Sequence, residues 1–284
     1  MRAVWLREFG PPSVLEPGEA PEPDGEAIAV EFANITFVET QVRAGRGPFP
    51  VQLPIIPGNG VGGMLGGRRV VASLGGSGGY AEFAVGAEVF DVPDGLALDD
   101  AVALLADGRT ATLLADAAAL QPGETVFIPA AAGGVGTLLT QLAVRAGATV
   151  IAAASSERKR ELALSLGAAE AVPYGRGVRA DVVFDGVGGT VARHAFAKLA
   201  PGGRMLSYGL ASGSWADISE ADASARGVSL IKVGRPERAH TERALTSGLK
   251  PVIGQRFPLE EAAAAHSAME ARQALGKTLL VVRG

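Results

Sequence analysis

The sequence predicts an α/β protein whose central part is a doubly wound parallel sheet, with a β-rich stretch in front of it. Three observations predict this. A short apolar strand runs into a glycine turn and an amphipathic helix between Thr125 and Val144. Strand and helix patterns then alternate, as parallel strands joined by crossover helices require. Residues 1 to about 95, by contrast, carry short alternating apolar runs separated by Gly/Pro clusters.

In the front part Ala27–Phe32 and Arg69–Ser73 read as strands, set off by turns such as Gly10–Pro12, Pro21–Gly25 and Leu74–Gly79. From Leu98 to about Ala117 the Ala/Leu-rich spacing is helical. Thr125–Pro129 is the first strand of the parallel sheet and Ala148–Ala154 the second. Ala180–Asp185 is a buried strand ending in Gly186-Val-Gly-Gly189, and Gly203–Tyr208 is another, ending at Gly209. Such strand ends lie where an open α/β sheet receives ligands. A helix over Leu259–Leu275 and a strand over Lys277–Val282 close the chain.

The turn itself fits the G-x-G-x-x-G spacing with Ala131, Gly133 and Gly136. A strand before it, a helix after it and a second strand on schedule make a Rossmann dinucleotide site the expected reading. Free N–H groups and the helix dipole point at the pyrophosphate there. Gly133 allows that group close to the backbone, and Gly136 allows helix and strand to pack closely. At the end of the second strand an NAD site carries an acid for the ribose 2′-OH. Here Ala154 is followed by Ser155, Ser156 and Lys159, donors and a cation suited to a 2′-phosphate. Cations in a helix's first turn oppose its dipole, so a bound anion accounts for them better than solvation alone. NADP(H) is the expected cofactor.

The 284 residues are 48% apolar with a formal charge of −4, which argues against nucleic-acid or anionic-membrane partners. There is no cysteine, which removes disulfides, thiolate metal sites and cysteine nucleophiles. Met1–Arg7 lacks the apolar core of a signal peptide, and every apolar run is interrupted before membrane-spanning length. A cytoplasmic protein is expected.

Several blocks together carry a family resemblance: Met1-Arg-Ala-Val4 with Glu8-Phe-Gly10, Ile55–Gly58, Gly78–Phe83, Val92–Leu96, the glycine turn, Ser155–Lys159 and Gly276-Lys277. Over essentially the whole chain the sequence resembles the medium-chain dehydrogenase/reductase superfamily, and within it the zinc-free NADPH:quinone oxidoreductases of the zeta-crystallin-like branch. The resemblance implies a GroES-like catalytic domain from residues 1–100 and 240–284, with a Rossmann NADP(H)-binding domain at 101–239 between them. It implies Gly133, Gly134 and Val135 at the pyrophosphate, and Ser155, Lys159 and Tyr174 around the 2′-phosphate, beside Ser156. Val187 falls near the adenosine, and Thr110, Tyr208, Gly209 and Lys277 along the nicotinamide side. A homodimer is implied, with Val228–Val233 as a pairing edge.

The activity implied is hydride transfer to a quinone or similar conjugated acceptor. An enoyl or alkenal reductase of the same superfamily, or a non-catalytic NADPH-binding protein, are the alternatives. Acceptor-pocket candidates are Thr36, Glu39 and Gln41, each a departure from the family's Asn-Phe-x-Asp-Thr-Tyr-x-Arg pattern. Glu39 reads equally as a proton relay, a partner orienting Arg43 or a solvated acid. No single catalytic residue stands out. Asn59 occupies the position of a zinc-binding His in metal-dependent relatives, and no metal is expected. The three histidines, His194, His240 and His266, fall in different predicted elements and are expected at surfaces or helix ends. The chain also looks shorter than family members around Gly62–Gly67 and between Tyr174 and Asp181.

Overall fold

Alternating apolar residues build antiparallel strands through the front of the chain, and the computed structural model describes residues 1–283. β1 (Arg2–Leu6) and β2 (Leu15–Glu19) form an antiparallel ribbon. There follow β3 (Ile28–Ile35), α1 (Phe37–Arg43), β4 (Gly60–Leu65), β5 (Arg68–Ser73), β6 (Phe83–Ala84), β7 (Glu88–Asp91) and α2 (Leu98–Ala103). The helical stretch that starts at Leu98 is not continuous. A π turn at Leu104–Gly108 separates α2 from α3 (Arg109–Ala118), and such turns recur at functional sites.

Next come β8 (Thr125–Pro129), α4 (Gly134–Arg145), β9 (Thr149–Ala153), α5 (Glu157–Ser165), β10 (Glu170–Val172), β11 (Ala180–Asp185) and α6 (Gly189–Phe196). The chain continues through β12 (Leu199–Ser207), α7 (Glu220–Ala225), β13 (Ser229–Leu230) and α8 (Arg238–Thr246). It closes with β14 (Ile253–Pro258), α9 (Ala262–Glu270) and β15 (Lys277–Val281). Two units result, Met1–Ala106 with Ala244–Gly284, and Asp107–Arg243.

In the first unit the seven-stranded sheet has the order β14-β15-β3-β4-β5-β7, with β6 also on β3. β15 joins the front strands through antiparallel pairing with β3, Leu280 opposite Ala33. The apolar faces meet in one core that includes Leu6, Ile28, Val30, Val61, Val70 and Leu280. β4 and β5 are joined by Gly66 and Gly67 alone, at φ +53° and +81°. A two-residue hairpin of this hand needs positive φ at both positions, which glycine adopts without strain. This is the place where the sequence looks shorter than the family. α9 stops at Glu270, before the expected Leu275, and Arg272 just beyond it has φ +56°.

The second unit is a six-stranded parallel sheet, β10-β9-β8-β11-β12-β13. Counted from its own first strand this is the order 3-2-1-4-5-6 of dinucleotide-binding folds. The edge strand β13 is only Ser229–Leu230, shorter than the Val228–Val233 run suggests. The connection from β10 to β11, residues 173–179, contains no helix. Tyr174 and Val178 of this strap pack on the core around Phe127 and Val183, covering a sheet face that a crossover helix usually covers.

Candidate functional site

The strand order reverses between β8 and β11, and the carboxyl ends of those strands are where such sheets bind ligands. β8 ends at Pro129, and the turn after it leads to Gly133, the N-cap of α4. The residue held in the left-handed region is Ala130, at φ +60°, one position before Ala131. Each glycine of the turn has its own reason. A Cβ on Gly136 would overlap the Ala130 carbonyl oxygen and come within 2.8 Å of the Ala131 Cα, so close packing of helix on strand requires glycine there. A Cβ on Gly134 would overlap the Asp107 carboxylate, with the carboxyl carbon at 2.8 Å. At Gly133 the nearest atom to a Cβ is the Ala130 oxygen at 3.4 Å, an ordinary contact. The protein's own packing does not demand glycine at Gly133. Val135 follows, half-buried, and the first N–H groups of α4 have no acceptor within the helix.

At the carboxyl end of β9, Ser155 and Ser156 are exposed and Lys159 is half-buried. Ser156 is the N-cap of α5, its Oγ accepting the Lys159 N–H at 3.4 Å. The cap engages a hydroxyl lone pair and leaves the O–H free to donate. Ser155, Ser156 and Lys159 therefore share one helix start, with two cations, Lys159 and Arg158, in its first turn. Tyr174 lies on the strap rather than on this turn and is half-buried against the core.

The ends of β11 and β12 are organised by Asp185, fully buried as the last residue of β11. Its Oδ1 accepts the Val187 and Gly188 N–H groups, each at 2.9 Å, and its Oδ2 accepts the Ser207 hydroxyl at 3.1 Å. Burial pushes this carboxyl above its ordinary pKa, and the three hydrogen bonds pull it back. The turn so held carries Val187, which is buried. A Cβ on Gly209 would lie 2.7 Å from the Gly186 oxygen, so the two glycine-ended strands touch backbone to backbone. Tyr208 is half-buried and lies across Gly186. Thr110 stands in the first turn of α3, half-buried. Thr110, Val187, Tyr208 and Gly209 all belong to the second unit, whereas Lys277, 3% exposed, opens β15 in the first.

The acceptor candidates sit on α1, whose start Thr36 and Glu39 define as a capping box. Glu39 Oε2 accepts both the Thr36 N–H, at 2.7 Å, and the Thr36 hydroxyl, while Oε1 accepts the Asn59 N–H at 3.3 Å. Glu39 neither faces solvent nor orients Arg43: it is buried, and Arg43 pairs with Glu270. Gln41 points elsewhere, its Nε2 donating to Thr40 Oγ1 at 3.2 Å and its Oε1 accepting from Arg46 at 3.4 Å. Asn59 staples its loop, with Oδ1 accepting the Gly76 N–H at 2.7 Å and the Leu74 N–H at 3.3 Å.

One histidine corrects the expectation of surface or helix-end positions. His266 is fully buried within α9, its Nε2 2.9 Å from the Tyr80 hydroxyl. Burial, with Arg43 nearby, lowers its pKa to about 3. Apolar neighbours on both sides of His266 in a helical pattern were the available signal. Among the described residues no three His, Cys, Asp or Glu side chains gather as a metal would require, and no helix is long and apolar enough to cross a membrane.

Two residues go unremarked in the sequence. Asp185 was readable, since an acid ending an apolar strand before glycines is an Asx-turn pattern. Asp107 was not, because only tertiary packing brings it to Gly134.

A family model described as zinc-binding dehydrogenase matches residues 134–247. A probable quinone oxidoreductase of Schizosaccharomyces pombe is 33% identical over 322 aligned positions, covering 98% of this chain and 96% of the relative. Those 322 positions exceed the chain's 284 residues by 38, so the relative has at least that many residues without a counterpart here. A mycobacterial protein solved with NADPH is 30% identical with a TM-score of 0.89, covering 99% of this chain and 100% of its own. The quinone oxidoreductase of Thermus thermophilus, also solved with NADPH, is 31% identical with a TM-score of 0.86, covering 99% and 100%.

Proposed function

Because the chain belongs to the quinone oxidoreductase branch of the medium-chain dehydrogenase/reductase superfamily, we propose that it passes a hydride from NADPH to a quinone or similar conjugated acceptor, with no metal taking part. Relatives across its whole length are quinone oxidoreductases, and two similar structures were solved with NADPH; the acceptor and the metal independence are the proposal. The observation that carries it is Gly133, a glycine at a helix start with room for a side chain, in the crevice where a dinucleotide belongs.

The residues fit the cofactor. Gly133, Gly134 and Val135 would hold the pyrophosphate, and Ser155, Ser156 and Lys159 the 2′-phosphate, with Tyr174 beside it. Val187 would line the adenosine side, and Thr110, Tyr208, Gly209 and Lys277 the nicotinamide side. When bound, the cofactor supplies the hydride; the chain's task is to orient it and keep water out. Glu39 spends both carboxylate oxygens on α1 and the Asn59 loop, which favours a holding role for Glu39 over proton relay. The donor set also favours chemistry without zinc: the chain has no cysteine, Asn59 is committed to its loop and His266 to Tyr80. An acceptor that is already electrophilic does not need a Lewis acid.

The protein would work in the cytoplasm on a small molecule and as a homodimer. A second copy would cover the edge strand β13, beside which Trp215 is 51% exposed and Ile218, Leu230 and Val233 line a cavity of about 370 Å³.

The test is cofactor oxidation followed spectrophotometrically with NADPH and NADH, a quinone and an enone, with and without a chelator. Quinone-dependent oxidation of NADPH, indifferent to the chelator, is expected. Preference for the enone, or loss of activity with the chelator, refutes the acceptor or the metal-free reading respectively.

A further inference from the structure

We propose that the Tyr208 hydroxyl is the hydrogen-bond donor that meets the negative charge developing on the acceptor's oxygen. The inference rests on the reading above, that a quinone or related carbonyl compound is reduced here. Tyr208 directly follows β12 at the carboxyl edge of the sheet, but its side chain turns back toward β11. A Cβ on Gly186 would lie 2.6 Å from the phenol oxygen and 2.8 Å from Cζ, so the hydroxyl rests over the residue directly after β11. β11 is one of the two strands that flank the crevice.

The donors gathered around Asp185 are already engaged. The Val187 and Gly188 N–H groups and the Ser207 hydroxyl all donate to Asp185, and the Tyr208 N–H donates to the Asp185 carbonyl at 2.9 Å. The phenol is influenced by burial and by neighbouring charge, with no hydrogen bond among those influences. Beside these engaged groups it stands as an uncommitted side-chain donor, on the sheet edge where such folds receive ligands.

Its chemistry decides what kind of donor it is. Burial pushes the phenol well above its ordinary pKa, and Asp185, Tyr174 and Asp107 push it further in the same direction. Tyr208 therefore keeps its proton and serves by hydrogen bonding rather than as an acid. When a quinone accepts the hydride, a C–H bond of the cofactor breaks, an O–H bond forms at one carbonyl oxygen in place of its C=O π bond, and the displaced electron pair passes through the ring onto the opposite oxygen. That oxygen accepts the Tyr208 hydrogen bond until water protonates it, giving the hydroquinone. Tyr208 begins and ends the cycle as a neutral phenol, fixed in place before the charge appears.

The experiment compares wild type, Tyr208→Phe, which keeps the ring on Gly186, and Gly186→Ala, whose methyl group displaces the hydroxyl. Calorimetry with NADP+ comes first, then binding of 4-nitrophenolate and of nitrobenzene to the NADP+-loaded proteins, then turnover with a quinone. In both variants we expect NADP+ affinity to fall by far less than turnover, at least about tenfold weaker nitrophenolate binding with nitrobenzene unaffected, and turnover lower by about a hundredfold. Turnover within about twofold of wild type overturns the proposal. So does wild type that fails to prefer nitrophenolate, or NADP+ affinity that falls as far as turnover, which would give the hydroxyl to the cofactor. No NADP+ binding by folded wild type sinks the underlying reading instead, and is visible before any variant is made.

Discussion

Asp185 allows a sharp test of how the ligand-side turn is held. In Asp185→Ala the Val187 and Gly188 N–H groups and the Ser207 hydroxyl lose their acceptor, and both N–H groups are buried. An unsatisfied buried donor costs about 1–3 kcal/mol. The loss is offset in part because the buried carboxylate is itself expensive to keep charged. A net destabilisation of about 3 kcal/mol follows, roughly 5 °C in Tm for a protein of this size. Asp185→Asn separates the two contributions. Its amide oxygen can accept both N–H groups and its NH2 can donate to Ser207, with no charge to desolvate, so its stability at pH 7 should match or exceed wild type. The pH dependence has a definite sign. Burial raises the folded carboxyl above the unfolded value of 3.8, so between the two the native state binds the proton more strongly. The contribution of Asp185 to stability therefore falls as pH rises from about 3.8 through the folded pKa, and is level above it. The advantage of Asp185→Asn over wild type should be small in acid and grow toward neutrality. Thermal and urea melts of the three proteins between pH 4 and 8 measure this. If Asp185→Asn melts as low as Asp185→Ala at pH 7, the carboxylate does more than hold the turn and the reasoning fails.

Three further expectations follow from the same geometry. Gly133→Ala should fold with stability within about 0.5 kcal/mol of wild type, since its methyl group meets only an ordinary contact, yet lose at least about tenfold in NADPH affinity by calorimetry; equal affinity would remove the ligand argument for this glycine. Lys159→Ala should weaken NADPH by about tenfold, one charge-assisted hydrogen bond, and leave NADH unchanged; an equal loss for both would place the lysine away from the 2′-phosphate. His266, with a pKa lowered to about 3 from 6.5, contributes stability that is complete above pH 6.5 and is lost as pH falls toward 3. The slope is about 1.4 kcal/mol per pH unit, and His266→Gln should flatten it in urea melts. The two buried groups thus oppose each other, His266 penalising acid in the first unit and Asp185 favouring it in the second.

The fold was legible where local pattern and burial agree. Ala180–Asp185 holds an apolar Val-Val-Phe run between Asp181 and Asp185 and is followed by glycine, and its limits in the structure are those the pattern marks. The β8–turn–α4 unit was legible because glycine positions, an apolar strand and a helix face all point to one arrangement. α1 was not. Phe37 and Val38 favour strand, and Thr36 and Glu39, which suit a polar pocket by residue type, form the cap that starts the helix. Ser156 shows the same ambiguity, since one hydroxyl serves a helix start and suits a phosphate equally well. Asp107 and the Tyr80–His266 pair depend on segments far apart in the chain, and no local spacing encodes them.

The helix-free strap has a mechanical consequence. Val172 lies level with Pro129 through β9, whereas Ala180 lies about five residues lower on β8, near Glu124. Crossing three strand spacings while descending that far takes a straight path of about 22 Å. Eight Cα steps at full stretch reach only about 26–29 Å, and some of that is spent clearing the sheet. The connection is thus short for this topology, and its slack is taken up in the turn at Tyr174 and Gly175, where the Arg176 N–H donates to the Pro173 carbonyl at 3.4 Å. It can absorb insertions freely but few deletions, because a shorter strap would have to give up that turn before β11 could start at Ala180.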